Sequence, residues 1–249
     1  MLRKSLALPF VFTLATFGSI LPVPQTALAA ALPGDSLNIG PMNTADSNTV
    51  DANSHSAAIG EMNDLSGAAR SAAIGYENTP VNSDASLLAG YWNMADGFAL
   101  AAFGMANYVY DSANLASGTY NTVHGSANLV AGNMNYLGSS GSILFSDSTA
   151  LFGWGNQGNN LAACLVAGTL NELDTATDSA AIGHGLILGP GTQSQVVVGQ
   201  YNAPDVGARF IVATGTNANN PSNAFTVFAN GDVIIKKRQG DILMGEFGN

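Results

Sequence analysis

The stretch Ser71-Ala72-Ala73-Ile74-Gly75-Tyr76-Glu77-Asn78 decides the fold, because its pattern recurs along most of the chain. Residues 56–63 repeat it as Ser-Ala-Ala-Ile-Gly-Glu-Met-Asn, and Ser179-Ala180-Ala181-Ile182-Gly183 repeats its first half. Aligned on the glycine, the units stand at Gly40, Gly60, Gly75, Gly90, Gly104, Gly118, Gly132, Gly153, Gly168, Gly183 and Gly199. The steps between them are 20, 15, 15, 14, 14, 14, 21, 15, 15 and 16 residues, a period regular enough to mark stacked rungs of a solenoid. The two long steps read as a rung plus a loop, at residues 44–54 and 138–147.

Three residues after the glycine stands an asparagine: Asn43, Asn63, Asn78, Asn93, Asn107, Asn121, Asn135, Asn156, Asn171 and Asn202, with Leu186 as the departure. Glycine and asparagine take left-handed backbone angles most readily, so both are expected to form one corner of each rung. Asparagines stacked at successive corners are also expected to hydrogen-bond to one another and to turn backbone. Before each glycine lies a short strand. The positions one and three back, such as Ile74 and Ala72, are expected to fill the interior, and the position two back, such as Ala73, to face outward. Both sets are mostly apolar, as in a strand buried on both faces. A second apolar slot five residues after the glycine (Leu65, Ala95, Val109, Val123, Leu137, Leu173, Leu188) predicts a second strand per rung. The reading is a flat two-sided β-roll of about 14–15 residues per rung, with an apolar outer face left for copies of the same chain to cover.

Composition agrees with an all-β reading and argues against a helical or α/β enzyme: 29 glycines, 10% charged residues and no long apolar run at helical spacing. The net charge of −10 lacks the basic footprint that nucleic acid requires. The single cysteine, Cys164, occupies the slot held elsewhere by Ser56, Ser71, Ser86 and Ser179, which predicts a small packed side chain.

Residues 1–29 have the pattern of a signal peptide: Arg3 and Lys4, an apolar run from Leu6 to Leu21, and a small-residue cleavage site at Ala27-Leu28-Ala29. Export to the cell surface or the medium is therefore expected, with the roll over residues 30–202 and no membrane-spanning stretch after the signal. Residues 203–249 break the period. They are expected to form short strands at residues 209–213, 224–229 and 233–237, with a turn at Asn230-Gly231-Asp232, as a cap or attachment segment.

The Ser-Ala-Ala-Ile-Gly units at this period resemble the head repeats of YadA-like trimeric autotransporter adhesins over roughly residues 36–202. The resemblance implies a left-handed parallel β-roll assembled as a homotrimer at the bacterial cell surface or outer membrane. It also implies a non-enzymatic adhesive role toward a host or matrix protein or glycan. Neither coiled-coil heptads nor strands enough for a barrel anchor follow Asn202. Residues 222–233 resemble segments that follow head repeats in bacterial surface proteins and in phage-fibre-like proteins. Two alternatives stand beside the adhesin: a structural fibre or spike segment of a phage-tail-like or surface assembly, and a polysaccharide-acting solenoid enzyme.

No catalytic constellation, cofactor motif or metal-ligand spacing emerges. His55, His124 and His184 sit at different registers, and acids such as Asp84, Asp96 and Asp111 are scattered through second turns. The candidates for ligand binding are aromatic residues in turns near the glycine, Tyr91, Trp92, Tyr120 and Trp154, with Tyr108, Tyr110 and Tyr136 nearby.

Overall fold

A computed structural model describes residues 28–32, 36–40, 48–50, 54–138 and 146–236. The signal segment up to residue 27, Asn43, Asp46, Asp51, Lys237 and Arg238 lie outside the described residues. Those described form only strands and turns. The strands before the repeat glycines stack in parallel and in register, so that Gly60, Gly75, Gly90, Gly104 and their successors through Gly199 stand side by side. These strands, Ala57–Glu61, Ala72–Tyr76, Leu87–Tyr91, Ala101–Met105, Leu115–Thr119, Leu129–Asn133, Ala150–Trp154, Leu165–Thr169, Ala180–His184 and Val196–Gln200, form the front sheet. The second strand of each rung, from Thr79–Asp84 to Ile187–Leu188, builds a parallel eight-stranded back sheet. The predicted parallel solenoid of two short strands per rung is the observed architecture.

The core lies between the sheets, and it corrects the expected orientation of the first strand. The position two before the glycine is the inward one: Ala73, Leu88, Ala102, Val130, Leu151 and Val197 are completely buried. The positions one and three before it point outward, with Ile74 42% and Leu87 38% exposed. Alternation around a strand allows only one of these two sets to be inside. Both are apolar, so polarity along the strand could not tell them apart. The residues five after the glycine are inward as expected, Leu65, Ala95, Val109, Val123, Leu137, Leu173 and Leu188 all being buried. Within a rung the two inward residues trade volume, Leu88 with Ala95, Ala116 with Val123, Leu151 with Gly158. A Cβ added at Gly158 would stand 2.6 Å from a Leu161 methyl and 3.0 Å from a Leu137 methyl, so those two side chains already fill that space.

The corner also differs from expectation in one respect. The asparagines do ladder, but the left-handed residue is the one before each asparagine: Met62, Glu77, Trp92 and Tyr120 have φ of 55, 51, 57 and 55°. The asparagine must turn its amide into the stack, so the reversal of the chain falls on its predecessor. Asn78 donates its backbone N–H (3.1 Å) and Nδ2 (3.0 Å) to Asn63 Oδ1, and Nδ2 also donates to Ile74 O (3.1 Å) and Gly90 O (3.0 Å). The same set recurs at Asn93, Asn107, Asn121, Asn135, Asn156 and Asn171. Among the described residues the ladder begins at Asn48, whose Oδ1 accepts from Asn63 and whose Nδ2 donates to Ile39 O and Gly60 O, so Asn48 holds a corner position of the kind expected of Asn43. It ends at Leu186, a buried residue whose N–H still donates to Asn171 Oδ1.

The opposite corner carries a second, chemically mixed ladder. Ser71 N–H donates to Ser56 Oγ, Ser86 N–H to Ser71 Oγ, Asn128 N–H to Asn114 Oδ1 and Thr149 N–H to Asn128 Oδ1. Cys164 sits in this column, buried, its Sγ 3.3 Å from Ala176 O, and burial raises its thiol pKa, as fits a packing residue. Among the described residues no buried side-chain N or O lacks a partner.

At the far end Ala208–Thr214 adds in parallel to Val196–Gln200, and Ile211, completely buried, closes the core. Strands Asn223–Phe228 and Val233–Ile235 follow antiparallel, close to the expected positions, and extend the front sheet past the roll. At the near end Leu28–Leu32 pairs antiparallel with Ser36–Gly40, so residues 28 and 29, read above as the end of the signal segment, belong to this strand.

Candidate functional site

The left-handed corner residue has a consequence outside the roll. Its N–H donates back to the preceding rung, Trp92 to Tyr76 O (3.0 Å), Tyr120 to Met105 O (2.9 Å) and Leu170 to Trp154 O (3.0 Å), so successive corners stack in file. Its side chain stands in solvent: Trp92, Tyr120, Met134 and Leu170 are 46–56% exposed. Beside it, the residue one after the glycine ends the front strand pointing outward, and strand register aligns Tyr76, Tyr91, Met105, Thr119, Asn133 and Trp154 in a second column. The two columns make a ridge along one corner on which aromatic and thioether side chains are interspersed with Glu77, Ala106, Thr119, Asn133 and Gly155.

All four aromatic candidates lie on this ridge, Tyr91 and Trp154 in the strand-end column, Trp92 and Tyr120 in the corner column. Tyr91 is stacked on Tyr76 (centroids 5.0 Å apart, planes 9°) and tilted against Trp92 (4.8 Å, 41°). Trp154 stands four rungs from Tyr91, about 19 Å at the usual strand spacing, so the candidates form a row and not one pocket. Sequence reading passed over Tyr76, Met105, Met134 and Leu170, which complete the row. Tabulating the two residues after each glycine as columns reveals them.

The other aromatics go elsewhere. Tyr108, Tyr110 and Tyr136 lie on the back sheet, where Tyr110 stacks on His124 (4.3 Å, 2°). The His124 Nδ1 lies 3.8 Å from Asp111 Oδ2, which also accepts from Gly125 N–H (2.8 Å). Burial holds the His124 pKa below its ordinary value, with Asp111 opposing, and burial raises that of Tyr110. Farther along the ridge, His184 joins Thr169 Oγ1 (Nδ1, 2.7 Å) and Tyr201 Oη (Nε2, 2.6 Å). His55, His124 and His184 are not brought together, and among the described residues no three His, Cys, Asp or Glu side chains converge as for a metal.

Next to the ridge lies the outer face of the front sheet. Its two central columns run Ala57, Ala72, Leu87, Ala101, Leu115, Leu129, Ala150, Leu165, Ala180, Val196 and Ile59, Ile74, Ala89, Phe103, Ser117, Ala131, Phe152, Ala167, Ile182, Val198. Ser117 is the one polar side chain in them, and no charge interrupts them. The back sheet, by contrast, presents Asp96, Tyr110, His124, Gln157, Asn159, Glu172 and Asp174. Among the described residues no helix is long and apolar enough to cross a membrane.

The chemistry this arrangement supports is contact chemistry: flat rings and polarizable sulfur on a repeating rigid rod suit the apolar faces of sugars or an extended chain. No family model matches the sequence, and no curated protein does.

Proposed function

We propose that the chain is the non-enzymatic, exported head of a YadA-like surface adhesin that works as a homotrimer and holds a host or matrix polymer along its aromatic ridge. The observation that carries this reading is the uncharged outer face of the front sheet. An uncharged, apolar face of this extent, broken by Ser117 alone, is characteristic of a surface covered by another protein surface, and equivalent rungs on identical chains cover one another in register around a closed axis. The Ser-Ala-Ala-Ile-Gly repeats and the signal-like N-terminal pattern support the same family and an extracellular place. Three copies would carry three parallel ridges, so contacts weak in one chain add through avidity.

The test is the solution mass together with adhesion. Light scattering should give three chains, and Phe103→Asp should give one folded chain with adhesion to immobilised matrix protein or glycan lost. A wild-type monomer would overturn the assembly, and a trimer that adheres to neither surface would overturn the adhesive role.

One observation favours a second reading, a segment of a longer fibre. The front sheet continues past the roll, and its last described strand leaves Val233, Ile234 and Ile235 exposed on both faces, as a strand that joins a further component would.

A further inference from the structure

We propose that the concavity where the regular rungs give way to the antiparallel tail binds an acidic saccharide, with Lys236 meeting the carboxylate. It is a cleft open to solvent of about 1090 Å³, large enough for a short saccharide. Gly183 and Gly199, which carry no side chain, and the backbone of Ala213, whose methyl is buried in the core, lie along it, which leaves a flat ring room to lie close. Its walls carry His184, Gln200, Thr214 and Lys236.

Charge selects the ligand class. The chain has 17 acidic and 7 basic residues, yet no acidic side chain lines this space and one ammonium does. The other described cations are engaged elsewhere, Arg70 with Asp84 and Arg209 with the Gln193 carbonyl. Lys236 Nζ is steadied by Ser222 Oγ at 3.1 Å. An ammonium has three donors, so two remain for a carboxylate. Gln200 spends Nε2 on Gly215 O (3.0 Å), which leaves its amide oxygen as an acceptor, and the Thr214 hydroxyl both donates and accepts. One positive group among neutral donors and acceptors complements one carboxylate among hydroxyls. The His184 and Tyr201 rings, held edge to face at 4.9 Å, place this site at the end of the ridge. A sugar chain lying along the ridge thus has a place for an acidic residue.

The experiment is calorimetric titration of the full chain with trigalacturonate and, in parallel, with its uncharged galactose counterpart. The acidic trisaccharide should bind at least about tenfold more tightly, the size of one charge-assisted contact, and more weakly as salt rises. Lys236→Gln should abolish that preference with an unchanged melting temperature, and Lys236→Arg should restore it. Equal binding of the two sugars, no heat with either, or an unaltered Lys236→Gln variant would each overturn the site. Every lining residue comes from one chain, so light scattering on the same samples separates this outcome from the trimeric reading.

Discussion

Asn63 Oδ1 accepts two hydrogen bonds from Asn78, one from its backbone N–H at 3.1 Å and one from its Nδ2 at 3.0 Å, and repetition of this pairing rung after rung ties one corner of the roll into a continuous file. Each amide in the file is completely or almost completely buried. Removing one therefore leaves polar groups of both neighbouring rungs without partners.

Asn107→Ala should cost about 2–5 kcal/mol, since it removes the acceptor of the buried Asn121 N–H and the Nδ2 donor to the Phe103 and Gly118 carbonyls, while Asn121 Nδ2 keeps Ser117 O and Gly132 O. Denaturant unfolding measures it. A loss under about 0.5 kcal/mol, the level of an ordinary surface change, would show that the file is incidental to stability.

Ala73→Asp and Ile74→Asp should behave oppositely, although the residues adjoin. Ala73 is completely buried, so a carboxylate there has neither water nor partner and the roll should fail to fold. Ile74 faces outward, so Ile74→Asp should keep a folded β spectrum, and on the trimeric reading proposed above its solution mass should fall to that of a single chain. A β spectrum from Ala73→Asp with an unfolded Ile74→Asp would reverse the assignment of the two faces.

Gly104→Ala should be among the most damaging single-methyl changes available. Gly104 has φ of +114°, and an added Cβ would stand 2.0 Å from the Gly118 carbonyl oxygen, backbone that cannot move without opening the stack. The expected loss exceeds about 4 kcal/mol. Ala99→Gly is the control: φ is 55° there, so glycine should be neutral or stabilise by up to about 1 kcal/mol. Thermal melts of the two variants, side by side, check both signs.

His124 should make stability fall in mild acid. Burial favours its neutral form in the folded roll, so its folded pKa lies below the unfolded value of about 6.5. Below that value the unfolded chain takes up the proton first, and stability is lost as pH falls toward the folded pKa. His124→Phe keeps a ring against Tyr110 and should lose less stability between about pH 7 and about pH 5 than the wild type. Parallel pH profiles for the two proteins would remove His124 as the cause.

Much of this was legible in order along the chain. The spacing of Gly60, Gly75, Gly90 and Gly104 sets the rung length, and Leu65, Val109 and Leu173 mark the second strand because each is an apolar residue set among polar ones. The ladder was legible too, from asparagine at a constant offset. The direction of Ile74 was not, because Ala72, Ala73 and Ile74 are all apolar and period two carries no sign. The ridge was legible only in part: Trp92 and Tyr120 are conspicuous as aromatics, whereas Met134 and Leu170 acquire meaning only when the corners are stacked. The acidic-saccharide cavity was not legible at all, since Gly183, Gln200, Thr214 and Lys236 are brought together by the turn from parallel to antiparallel pairing.

The sequence by itself determined that this chain winds into short paired strands, because a glycine and an asparagine at fixed intervals can repeat for one backbone path only. The tertiary structure decided which apolar column is core and which is surface. That choice rests on the corner: the asparagine amide must point into the stack, the residue before it must turn left-handed, and the strand that leads there is thereby rotated so that Ala73 is inside and Ile74 is out.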